Sequence, residues 1–149
     1  MKENHKKTFY LAHPFMSRKE IRDWELNTLN SDHNINTVNP FYHPDSFDKF
    51  NERSIANNKY YKQLNYEKLV NTDIGLIQGS DGIVVIIDGK ISYGTIQEMV
   101  YADMYCKQIY SIITNDQEEH PWLKYHSTKI FKSRKEFEDY ITKNKNKFQ

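Results

Sequence analysis

Five consecutive branched aliphatic residues, Ile83-Val84-Val85-Ile86-Ile87, set the strongest limit on how this chain can fold. Such side chains lose rotamer freedom in a helix and pack well on a pleated strand. A run without polar alternation leaves no face for water, so the strand is covered on both sides, as in a parallel sheet flanked by helices. Thr8 to Ala12 reads as an earlier strand, stopped by His13-Pro14. From Ser17 as N-cap, the period predicts a helix to Leu29, with Ile21, Trp24, Leu26 and Leu29 among its apolar positions. Asn34 to Asn39 is a weak strand ended by Pro40, and Tyr60 to Gly79 a helix burying Leu64, Leu69, Leu76 and Ile77. Between them, Phe41 to Ala56 carries Pro44 and scattered aromatics without a period, and a connection of that length reads as a lid.

After Ile87 the pattern continues with a helix through Met99 to Tyr105, a strand at Gln108 to Ile113, a short strand at Thr128 to Phe131 and a helix from Ser133 to about Thr142. Strands alternating with helical segments make βαβ units. The expected fold class is α/β, a Rossmann-like three-layer sandwich with about five parallel strands, forming a single domain over residues 1–149.

Composition narrows the function. The formal net charge is +1, with cations spread along the chain, unlike the one-sided basic face of a nucleic-acid binder. The densest basic run, Lys143 to Lys147, reads as a solvated tail. Cys106 is the only cysteine, so no disulfide framework exists. No apolar stretch is long enough to span a bilayer and the N-terminus is polar, which leads us to expect a soluble, cytoplasmic protein. No metal-ligand spacing or dinucleotide fingerprint is present, and no cofactor is expected.

In open α/β sheets, ligands bind beyond the carboxyl ends of the strands. The sequence sends Tyr10 to Ser17, Asp73, Ser92 to Glu98 and Asn115 toward that edge. Glu98 has two readings. With Thr95 it matches a capping box, which would tie its carboxylate to backbone N–H groups. Alternatively, it is a carboxylate at a helix start where a substrate sits, its charged form favoured by the helix dipole.

Three segments together resemble the nucleoside 2-deoxyribosyltransferase family, which includes nucleoside-monophosphate N-glycosidases. Tyr10-Leu11-Ala12-His13-Pro14-Phe15 is similar to the family's opening "YLAGP-F". Asp73 to Asp81 is similar to its "D-x-x-x-I-x-x-x-D", and Ser92-Tyr93-Gly94-Thr95-Ile96-Gln97-Glu98 to "D-S-G-T-x-x-E". The resemblance implies Glu98 as the nucleophile on the sugar C1′, forming a covalent glycosyl intermediate that passes to another base or to water. It further implies Asp73 as the group that protonates or hydrogen-bonds the leaving base, and Tyr10 as the residue holding Glu98 or the sugar. Substrate contacts would come from Ser92, Gly94, His13, Phe15 and Ser17. The implied partner is a small-molecule nucleoside or nucleotide, and neighbouring subunits would close the site in a homo-oligomer, a dimer or higher. The aromatic segment His120 to His126 is a candidate contact surface.

Two departures bear on the substrate. His13 stands where the family has Gly, placing a ring beside the sugar pocket. Ser92 stands where the nucleoside transferases carry an Asp for the sugar 5′-hydroxyl. A Ser can donate to a 5′-phosphate that an Asp would repel, and Ser17-Arg18-Lys19 at a helix start would add to an anion site. That tips the expectation slightly toward a nucleotide. Cytokinin-activating-type phosphoribohydrolases also carry "G-T-x-x-E", but their preceding Pro-Gly-Gly is replaced here by Ile91-Ser92-Tyr93. A nucleotide-sensing module without turnover is the non-enzymatic alternative.

Overall fold

The computed structural model describes residues 5–43, 65–89 and 92–149. Its centre is a five-stranded sheet, every pairing parallel, built from β1 (Thr8–Ala12), β2 (Asn36–Val38), β3 (Gly82–Ile87), β4 (Gln108–Ile113) and β5 (Lys129–Phe131) in the order β2-β1-β3-β4-β5. The expected α/β three-layer sandwich is therefore the observed one. β3 is buried along its whole length, as its unbroken apolar run requires. Side chains alternate across a strand, so Val84 and Ile86 enter one core while Ile83, Val85 and Ile87 enter the other.

The first core lies under α1 (Arg18–Trp24), which supplies Ile21 and Trp24. The second lies under α2 (Tyr66–Gln78) and α3 (Tyr93–Met104), which supply Ile77, Met99 and Ala102. Gly82 allows the close approach of β1 and β3, since a Cβ there would stand 2.8 Å from the Phe9 ring.

In four places the structure departs from the sequence reading or defines what it left open. The helix from Ser17 to Leu29 is instead a 3₁₀ turn (Phe15–Ser17), then α1, then a π-helical segment (Glu25–Asp32). The wider turn puts Leu26 in solvent and brings Glu25 inside at 1% exposure. The segment around His120 forms α4 (Pro121–His126), with Pro121 in the first turn and His120 Nδ1 accepting from the Trp122 N–H at 3.3 Å. The lysines of the basic C-terminal run are exposed, as expected of a solvated segment, but the run is anchored. α5 (Arg134–Lys143) leads into α6 (Lys145–Phe148), and Phe148 is fully buried among Phe9, Tyr110, Phe137 and Tyr140. Lys7 Nζ also ties the tail down, donating to the carbonyls of Asn146 and Lys147. Finally, α2 begins at Tyr66, where Asn65 Oδ1 caps the Lys68 N–H at 3.0 Å. The expected helix start at Tyr60, Leu64 and the lid from Pro44 onward lie outside the described residues.

Candidate active site

The strand order reverses between β1 and β3, the switch point at which open α/β sheets place a ligand crevice beyond the carboxyl ends of the strands. β1 carries Tyr10, fully buried and directed into the core under α2 and α3. α3 begins where the chain leaves β3, and its cap decides the status of Glu98. Ser92 is the N-cap, its Oγ accepting from the Thr95 N–H at 3.4 Å. Thr95 is therefore inside the helix, buried, its hydroxyl without a partner. The capping box that would have occupied Glu98 does not form, and the carboxylate is left for something else.

Glu98 points its carboxyl inward. Its Oε2 and the Tyr10 hydroxyl are both buried, and neither completes a hydrogen bond of ordinary geometry. They are nevertheless close enough to alter each other's titration. Burial pushes the Glu98 pKa up to about 8, the Tyr10 hydroxyl pulls it down, and the Asp73 carboxylate raises it again. The helix dipole expected to favour the charged form is outweighed, because desolvation of a buried carboxylate is the larger effect. The Tyr10 pKa is raised well above the usual phenol value, first by burial and then by Glu98 and Asp73. Tyr10 thus stays a neutral O–H donor facing a carboxyl group. Asp73, half-buried on α2, completes the group. Tyr10, Asp73 and Glu98 come from separate elements and are near enough to act on one another's charge.

The remaining candidates divide between two sides. Ser92 and Gly94 form the first turn of α3 beneath Glu98, and a Cβ on Gly94 would lie 3.6 Å from Glu98 Oε1. His13, Phe15 and Ser17 lie on the β1–α1 turn. The His13 ring is buried, with Nε2 3.1 Å from Asn39 Oδ1, Nδ1 3.2 Å from the Pro14 carbonyl oxygen, and Phe41 packed against it. Burial holds its pKa below the ordinary histidine value, while Asn39, Pro14 and Asp88 act in the opposite sense. Phe15 meets Phe41 edge-on at 5.4 Å. Ser17 makes no side-chain cap bond and instead donates to Asp88 Oδ1 at 3.1 Å. Asn115 braces a strand end, its amide donating to the Gly89 carbonyl at 2.8 Å. Asp81 is structural, accepting from the Thr8 N–H at 2.7 Å.

The buried pair Glu25 and Asn39 escaped the sequence reading. A polar residue one place beyond a strand and an acid within a helical period carry no signal until the π-helical turn brings them together. Among the described residues, no three His, Cys, Asp or Glu side chains gather as a metal ion would need. No helix among them is long and apolar enough to cross a membrane.

No protein-family model and no curated protein matches the chain. Solved structures do. A 2-deoxyribosyltransferase from the psychrotolerant bacterium Bacillus psychrosaccharolyticus superposes with a TM-score of 0.65 at 16% identity, over 89% of this chain and 91% of that one. A conserved protein from Enterococcus faecalis gives 0.66 at 14% identity, over 93% and 99%. The CMP N-glycosidase of Clostridium botulinum gives 0.57 at 16% identity, over 91% and 98%. At this identity the likeness is one of fold: the chain has the three-layer α/β fold found in a 2-deoxyribosyltransferase and in a CMP N-glycosidase.

Proposed function

We propose that this protein is an enzyme that cleaves the N-glycosidic bond of a (deoxy)nucleoside or its 5′-monophosphate, with Glu98 as the nucleophile. The observation carrying the reading is the Glu98 carboxyl group, uncapped and enclosed against Tyr10 and Asp73 at the switch point of a parallel sheet. In the first step, a Glu98 oxygen bonds to C1′ as the C1′–N bond breaks, and the base leaves with the bonding pair and a proton supplied through Asp73. In the second, an acceptor base or water attacks C1′ and passes a proton to Asp73, while the bond from C1′ to Glu98 breaks and returns the carboxylate. Glu98 must be ionised to attack, and the Tyr10 hydroxyl stabilises that ionised form by donating to it.

Of the two serines suggested for a phosphate, Ser17 already spends its proton on Asp88, whose negative charge disfavours a second anion. Ser92 accepts from Thr95, and its own O–H remains free to donate to a 5′-hydroxyl or phosphate. Homo-oligomer formation, with exposed Trp122 and Tyr125 of α4 at the contact, belongs to the same proposal.

The test is a product assay with each deoxynucleoside and its 5′-monophosphate, with and without a second free base. A swapped nucleoside appearing only with the acceptor base identifies a transferase. Free base without an acceptor identifies a hydrolase. No turnover of any of them overturns the proposal in favour of a nucleotide-sensing module.

Tyr10→Phe provides a finer check. It removes the group that lowers the Glu98 pKa. The rising limb of log kcat/KM against pH should move upward by roughly 0.5–1 unit, and the rate at pH 7 should fall about three- to tenfold. An unmoved limb would leave Tyr10 a packing residue only.

A further inference from the structure

Beside the β1–α1 turn lies a polar cluster that the proposed chemistry does not use. Glu25, the first residue of the π-helical segment, is 1% exposed, and its Oε1 accepts a hydrogen bond from Arg22 Nη1. Asn39, which follows β2, is 5% exposed. Its Oδ1 lies 3.2 Å from the Phe41 N–H and 3.1 Å from His13 Nε2. Oxygen and nitrogen of a side-chain amide are told apart by their partners. A backbone N–H can only donate, so the atom facing Phe41 is the oxygen. The same oxygen faces His13 Nε2 at 3.1 Å, while Nδ1 faces the Pro14 carbonyl, also an acceptor only, at 3.2 Å; burial favours a neutral ring, so the single proton is contested between Asn39 and Pro14.

The other end of the amide is the unusual part. Asn39 Nδ2 and Glu25 Oε2 are both buried and both lack a hydrogen bond, one a pure donor and the other a pure acceptor. Their side chains already interact, since Asn39 lowers the Glu25 pKa that burial raises. Pairing these two atoms would satisfy both, and buried polar atoms are costly to leave unpaired. A π-helical turn in place of a regular one is what brings Glu25 to this position, and such turns recur at functional sites.

We propose that Glu25 is a positioning residue for the candidate site: it holds the Asn39 amide, Asn39 fixes His13 as the Nε2–H tautomer, and His13 anchors the turn carrying Pro14, Phe15 and Ser17. That turn follows the carboxyl end of β1 and is tied to the end of β3 through Ser17 and Asp88, so its placement shapes the strand-end edge of the candidate site. Glu25 touches no reacting atom and acts through Asn39 and His13. Only the kinetic part of this inference rests on the function proposed above.

The test compares wild type, Glu25→Gln, Glu25→Leu and Asn39→Ala by ¹⁵N-edited NMR of the histidine rings together with kinetics. Wild-type His13 should show a protonated Nε2 and an unprotonated Nδ1. Glu25→Gln keeps an acceptor for the amide and should preserve this signature, with kcat/KM within about twofold. Glu25→Leu should let the tautomers average and lower kcat/KM about tenfold. Asn39→Ala, which removes little core volume, should do the same and serves if the Leu variant does not fold. A wild-type proton on Nδ1, or a wild-type His13 signature in folded Glu25→Leu or Asn39→Ala, would overturn the relay. If wild type turns over no nucleoside, the NMR comparison still judges the relay by itself.

Discussion

Replacing Glu98 by Gln is expected to abolish turnover and to stabilise the protein. The loss of rate, on the order of 10⁴-fold in kcat, follows from removing the proposed nucleophile while keeping its shape. The gain in stability follows from its titration. The folded-state pKa is about 8 against 4.5 for the unperturbed group. Between these values the folded protein binds more protons than the unfolded chain, so the unfolding free energy of wild type falls as pH rises through this window. Above about pH 8 both states are ionised and the fall levels off. The amide does not titrate, so its advantage should be small near pH 5 and reach roughly 1–3 kcal/mol at pH 9. Urea unfolding of both proteins at several pH values, beside the product assay, checks both halves. Parallel pH–stability curves would mean that the Glu98 carboxyl is solvated in solution, and undiminished turnover would remove it from the mechanism.

Phe148→Ala should give the largest loss of stability among conservative truncations at the chain's end, about 3 kcal/mol. The ring is fully buried, with Phe9, Tyr110, Phe137 and Tyr140 around it at centroid distances of 5.0–6.0 Å. Deleting it leaves a cavity in the core under α1, on the face of the sheet away from Glu98. The midpoint of urea unfolding should drop while kcat of the folded protein stays within about twofold. A change below about 0.5 kcal/mol would show that α6 is detached in solution.

What the sequence made legible follows from how local each signal is. The Ile83–Ile87 run dictates a doubly covered strand by itself, and the strands around it are marked by Pro14, Pro40 and the return of helical periods. Tyr10 and Glu98 lie beside strand ends, which parallel strands share at one edge, whereas Asp73 sits within α2 and its role came only from the family resemblance. The cap of α3 stayed open between two readings because Ser92 and Thr95 are both competent caps, and only the backbone at Ser92 distinguishes them. The π-helical segment left no trace, since its composition suits an α-helix and only the packing of Glu25 reveals it. The docked tail was hidden by its lysines: a single buried Phe148 outweighs the charges around it.

β1 is made first and ends up near the middle of the sheet, paired on one side with Asn36–Val38 and on the other with a strand some seventy residues later. While the chain is being synthesised, Tyr10 therefore waits on an open edge until Gly82–Ile87 arrives to close it. Contacts of such long sequence separation form late. The edge that carries Tyr10, Asp73 and Glu98 therefore cannot exist before β1 and β3 have paired. Activity regained during refolding should not precede that pairing, so its onset sets a latest time for the joining of these two strands.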